Sequence, residues 1–252
     1  LHGGVVSTLC SSQQGRTLTF VTFNSKTGNF AISDDHGQIF NFDMSSNKYQ
    51  IIRLAGTSPV TCMEFLHSKL NYIAVAYEAG NLIVIDAVAR KSVASLHATG
   101  NKPIRLLRCH PRHSMLLGYS EGVSYNDQND LVKSYTLDIF DLKNSCVLRT
   151  MDLKESLVDV KFLDSEGKYF GVLFEKRGVV VYRSRDCSVA LTCPFPDSER
   201  MPAWTALSAF TFNGKAIKSP FNDETGEWEN LDEDDGVEPQ LRFLTAGDNS
   251  MI

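Results

Sequence analysis

No Cys-x-x-Cys pair, no Asn-x-Ser/Thr sequon and no apolar run near the ~18 residues of a membrane span occurs in this 252-residue chain. The six cysteines (Cys10, Cys62, Cys109, Cys146, Cys187 and Cys193) are scattered, and Cys62 and Cys109 sit inside apolar stretches as small hydrophobes. No segment of these residues reads as a signal peptide, and none shows a convincing helical period. The expectation is a cytoplasmic, reduced chain with no membrane insertion.

Catalytic and metal-binding patterns are missing as well. There is no Gly-x-Ser-x-Gly elbow and no carboxylate pair in strand context, where geometry would be fixed. Gly167-Lys168 fails as a phosphate loop, because Phe162 stands where the first glycine is needed. His110-Pro111-Arg112-His113 offers two imidazoles without a third ligand nearby and reads as an exposed loop after a strand. His36 lies in a Gly-ended turn and serves that turn. The chain is expected to have no catalytic centre, no resident metal and no cofactor.

Basic residues concentrate nowhere, so no nucleic-acid footprint is present. The net charge is −5, and the acid is unevenly spread: nine carboxylates and no Lys or Arg fall between residues 223 and 238, leaving +4 on the rest. An EF-hand with Gly236 at its invariant glycine would place Leu231 at the first ligand position and Arg242 at the last, which excludes it. Trp228, Asp232, Glu233, Asp234 and Asp235 are the candidate partner-binding residues. An aromatic in a charged loop can anchor an interface, and the carboxylates suit a basic partner. The plain alternative is a solvated insert with Trp228 tucked back onto the blade.

What the chain does have is a repeat. A polar turn ending in Gly37 releases the alternating strand Ile39-Phe40-Asn41-Phe42, which closes on Asp43. The figure returns 43 residues later at Gly80 and Asp86, and Phe140-Asp141 and Tyr182 extend it. Each unit holds four short apolar segments in about 42 residues, the period of one propeller blade. Units span residues 17–56, 57–99, 102–153, 156–195 and 204–252, the last incomplete. Two inserts break the period, a polar, turn-rich one at 122–134 and the acidic one at 221–240. One blade buries too little surface alone, so neighbours must stack. The expected fold is an all-β, WD40-like β-propeller of about four blades and part of a fifth. Because Leu1 is not an initiator Met and Ile252 interrupts a strand pattern, the chain is expected to be cut from a larger ring.

The turn, Asp-Gly and aromatic-Asp pattern resembles the WD40 family in degenerate form. Phe42-Asp43, Ile85-Asp86 and Phe140-Asp141 stand where Trp-Asp is usual, Tyr182-Arg183 loses the Asp, and Gly-His is absent throughout. Without the network those residues would form, blade stability is expected to lean on apolar packing. Residues 28–44, with Cys62-Met63-Glu64-Phe65 and Ile73-Ala74-Val75-Ala76, resemble the first two blades of the WD-repeat TBC-domain proteins of centriolar satellites (TBC domain family member 31). That resemblance implies a propeller acting as a non-catalytic scaffold for other proteins at centrosomes and cilia. It also leaves open a regulatory propeller of a Rab GTPase-activating protein, although no TBC finger motif lies in this chain. A third reading is a propeller subunit of a trafficking or ribosome-assembly complex.

Overall fold

The computed structural model describes residues 17–46, 48–54, 58–125, 128–194, 204–212, 221–222, 227–228 and 240–247, with side chains described up to residue 194 and at Leu207. Four antiparallel meanders follow one another along the chain. The first sheet comprises β1 (Leu18–Phe23), β2 (Asn29–Asp34), β3 (Ile39–Asp43) and β4 (Lys48–Arg53). The second comprises β5 (Val60–Phe65), β6 (Tyr72–Tyr77), β7 (Asn81–Asp86) and β8 (Lys91–His97). The third is built of β9 (Ile104–Cys109), β10 (Met115–Tyr125), β11 (Leu131–Asp141) and β12 (Cys146–Leu153). The fourth is built of β13 (Leu157–Phe162), β14 (Tyr169–Phe174), β15 (Gly178–Arg183) and β16 (Val189–Cys193). Beyond them β17 (Trp204–Phe212) pairs with β20 (Gln240–Gly247), and β18 (Phe221–Asn222) with β19 (Glu227–Trp228).

The sheets stack face to face, and their first strands touch in succession: β1 with β5, β5 with β9, β9 with β13, and β13 with β17. This is the arrangement of propeller blades around an axis, and the all-β expectation holds. Strand alternation explains the stacking. In β6, Ile73, Val75 and Tyr77 pack towards the first sheet, while Ala74 and Ala76 pack towards the third. Both faces are covered, so the strand reads as a continuous apolar run. Between the third and fourth sheets lie Tyr119, Leu137, Phe170 and Phe174, all essentially inaccessible. Each such side chain contributes roughly 2 kcal/mol by leaving water.

The two repeating residues have physical jobs. Gly37 (φ +73°) and Gly80 (φ +80°) turn the second strand into the third in a left-handed conformation. A Cβ on Gly37 would lie 2.6 Å from the Ser58 carbonyl oxygen, and one on Gly80 would lie 2.6 Å from the Asn101 backbone. Each glycine thus lets its turn press on the linker entering the next sheet. The repeating aspartates close the following turn. Asp43 accepts from Ser45 N–H at 2.9 Å, Asp86 from Val88 N–H at 2.9 Å and Asp141 from Lys143 N–H at 2.8 Å. In the fourth sheet, where Arg183 replaces the repeat aspartate, Asp186 accepts from Ser188 N–H instead.

The surplus at 122–134 is not the polar loop its composition suggests. β10 and β11 continue as one ladder through Gly122↔Ser134 and Val123↔Lys133 to Tyr125↔Leu131. Their lateral partners stop earlier, β9 at Ile104↔Ser120 and β12 at Leu153↔Tyr135. The result is a two-stranded hairpin standing beyond its sheet.

Candidate interaction sites

Three places concentrate side chains with chemistry. The first is the inner wall, where charged residues of successive first strands meet. Arg108 Nη2 on β9 donates to Asp159 Oδ1 on β13 at 2.7 Å, and Arg108 Nη1 lies 3.7 Å from Glu64 Oε2 on β5. The carboxylates also bind the neighbouring backbone: Glu64 Oε1 accepts from Cys109 N–H at 3.0 Å, and Asp159 Oδ2 from Leu207 N–H at 3.2 Å. These bonds tie the second, third and fourth sheets and β17 into one chain of contacts. Sequence reading assigned blade cohesion to apolar packing and missed this ladder. Burial, the dominant cause, pushes the Glu64 carboxyl up from 4.5 to about 7, against the pull of Cys109 N–H and Arg108.

Folding raises this pKa, so the stability that the protonated Glu64 contributes is whole below about pH 4.5 and is lost as pH climbs through about 7. Relative to a Glu64→Gln variant, the wild-type chain is expected to lose at most about 3 kcal/mol between about pH 4 and about pH 8. Urea titrations of both proteins across that range measure the difference, and parallel curves would refute it.

The second place is the hairpin. Tyr125 and Leu131 face each other across it on one side, beside the Val123–Lys133 pair, and Val132 lies on the other. Val123, Tyr125, Leu131 and Val132 are all exposed, Tyr125 by 68%. The base of the hairpin is fixed, because Tyr119 Oη donates to Glu121 Oε1 at 2.7 Å and accepts from Leu157 N–H on the fourth sheet.

The third is a cleft of about 500 Å³ at the opposite end of the sheets, between the third and the fourth. Met115, Ile139 and Leu148 supply apolar lining, and Arg149, Lys168, Arg183 and Arg185 stand among its walls. His110, expected in an exposed loop, is buried at its edge. The His110 Nδ1 accepts from the N–H groups of Arg112 (3.1 Å) and His113 (2.9 Å), so the ring organises the turn. Burial, and then the charge of His113, lower its pKa and keep the ring neutral near pH 7.

Among the described residues, Asp34, Asp35 and His36 form a grouping at metal-ligating separations. Its atoms already serve the turn: Asp34 Oδ1 accepts from His36 and Gln38 N–H, and His36 Nδ1 pairs with Asp35 Oδ1. Cys62 and Cys109 are buried as expected, and burial pushes the Cys62 thiol up to about 12. No described helix is long and apolar enough to cross a membrane. Of the sequence candidates, Trp228 falls on β19 opposite Phe221, and its side chain lies outside the described ones. Asp232, Glu233, Asp234 and Asp235 lie outside the described residues.

No protein-family model and no curated protein sequence matches the chain. Solved structures do. A chain of the mitotic checkpoint complex superposes with a TM-score of 0.58 at 11% identity, over 76% of this chain and 54% of that one. The Pan2 WD40 domain of Neurospora crassa gives 0.56 at 13% identity, over 76% and 56%. A chain of the COPII outer coat vertex on membranes gives 0.54 at 16% identity, over 68% and 48%. This chain therefore spans about half the length of the structures it matches. At these identities the likeness establishes the fold, a WD40-type β-propeller architecture.

Proposed function

We propose that this chain is a non-catalytic scaffold, a rigid run of propeller blades that presents binding surfaces to other proteins. The observation that carries the reading is the hairpin of β10 and β11. It places Val123, Tyr125 and Leu131 in solvent on one face, and Val132 on the other, above a base pinned by Tyr119, where they fill no core. Such an apolar patch on an ordered projection is the anatomy of a protein contact. The WD40-type architecture supports the same reading, since loops and hairpins on a stiff frame are where such folds carry function.

The narrower address, centriolar satellites within the cytoplasm, is supported by the sequence resemblance at residues 28–44, 62–65 and 73–76. One experiment addresses both levels. Proximity biotinylation is run with the wild-type chain and with a Val123→Ser/Tyr125→Ser/Leu131→Ser variant. The substituted side chains are exposed, so the variant is expected to fold normally and to lose a set of protein neighbours by roughly tenfold. Identical neighbours would remove the hairpin from the interface. Centrosomal proteins among the lost set support the narrow address, and their absence overturns it.

A further inference from the structure

We propose that the cleft between the third and fourth sheets binds an acidic peptide segment carrying an apolar anchor residue. The proposal rests on the scaffold reading and names the partner chemistry for its second surface. Four described arginines outside the lining are matched to carboxylates, Arg105 to Glu78, Arg108 to Asp159, Arg112 to Glu166 and Arg177 to Glu155, and Arg53 lies over the Tyr77 ring. The cleft arginines are not so matched. Arg149 Nη1 donates to the Asp186 carbonyl oxygen at 2.9 Å, and Arg183 Nη1 to Ser188 Oγ at 3.2 Å and the Val189 carbonyl oxygen at 3.4 Å. Neutral acceptors hold these guanidinium groups in place, the Asp186 carboxylate offsets their charge only through space, and most of each donor fork stays unused.

Lys168 Nζ and the Arg185 guanidinium engage no carboxylate among the described residues. Glu166 is the one acid in the lining, and it is taken by Arg112. The nearby Asp186 carboxylate, which is not in the lining, accepts from Ser188 N–H and Oγ–H, and these bonds, with a smaller pull from Arg183 and Arg149, hold its pKa below the usual range. The cleft is therefore a cationic trough in a chain whose net charge is −5. Its apolar lining asks for a side chain as well as charge. Leu148 remains 48% exposed there, beside Met115 and Ile139. A peptide that inserts one aliphatic or aromatic residue among these three, and flanks it with carboxylates, satisfies both demands. Because the cleft and the hairpin lie at opposite ends of the sheets, two partners can be held at once.

The test is fluorescence anisotropy with the purified 252-residue chain. The probe is a fluorescein-labelled synthetic peptide of Glu residues around a central Leu-Phe, with a Gln-for-Glu copy as control. The acidic peptide is expected to bind roughly tenfold tighter than the amide copy, and to weaken as salt is added. Lys168→Gln/Arg185→Gln and Leu148→Ser are each expected to reduce binding roughly tenfold, while Lys91→Gln/Lys143→Gln leaves it unchanged. Equal binding of both peptides, or indifference to the cleft variants, overturns the proposal. So does tighter binding of a thymidine oligonucleotide than of the acidic peptide.

A further overturning result is binding that emerges only when Asp232, Glu233, Asp234 and Asp235 are changed to Asn. The chain's own acidic segment would then be the occupant. Failure of the peptide titration leaves the hairpin-dependent neighbours of the scaffold reading untouched, so the two can fail separately.

Discussion

Replacing Asp159 with Ala is expected to destabilise the chain by about 3–5 kcal/mol, the cost of leaving a withdrawn charge without its partner. The Asp159 carboxylate, only 8% exposed, accepts from Arg108 at 2.7 Å, from Val160 N–H at 2.9 Å and from Leu207 N–H at 3.2 Å. Truncation removes all three bonds and leaves Arg108, 29% exposed, against a Glu64 carboxylate at the looser distance of 3.7 Å. Asp159→Asn loses the charge and one of the two acceptor oxygens but keeps the other, so a cost of about 1–3 kcal/mol, below that of Asp159→Ala, is expected. Exchanging both partners, as Arg108→Met/Asp159→Leu, is expected to cost less than Asp159→Ala alone, because the guanidinium leaves with its closest carboxylate and only the looser 3.7 Å partners, Glu64 and Lys161, lose theirs. Urea midpoints with unchanged slopes give these values. A cost below about 1 kcal/mol for Asp159→Ala would show that the ladder does not join the sheets.

The same ladder marks where sequence reading stops. The period, the four segments per unit, and Gly37, Gly80 and the repeat aspartates were all legible, because each is a local backbone requirement recurring at fixed spacing. Glu64, Arg108 and Asp159 are not local. Each looks like an ordinary polar residue on its own strand, and only the stacking of β5, β9 and β13 brings them together. The hairpin was hidden for another reason. Gly122, Ser124 and Ser134 made the segment read as turn, yet the ladder register continues through them and alternates them with Val123 and Tyr125. The cleft had no motif to find, since its cations come from β12, from the turn before β14 and from the end of β15 and the turn beyond it. What could have signalled it is that Arg149, Arg183 and Arg185 lack carboxylates at pairing distance, a property only the folded chain reveals.

Gly167→Ala is expected to cost about 3 kcal/mol, and His110→Ala in the same chain is expected to return part of it. Two penalties combine at Gly167. Its φ of +68° strains any residue with a Cβ by roughly 1 kcal/mol. A Cβ there would also meet the buried His110 ring, with Nε2 the nearest atom. Gly28 isolates the first penalty, since its φ is +74° and nothing lies within 4 Å of an added Cβ, so Gly28→Ala is expected to cost only about 1 kcal/mol. Gly80 supplies the opposite control. Its Cβ would strike the Asn101 backbone at 2.6 Å, which no side-chain truncation can clear, so Asn101→Ala is not expected to relieve Gly80→Ala. A double-mutant cycle on Gly167 and His110, read by urea unfolding, is expected to show a favourable coupling of about 1–2 kcal/mol. Strict additivity would mean that the imidazole does not seal the third sheet to the fourth.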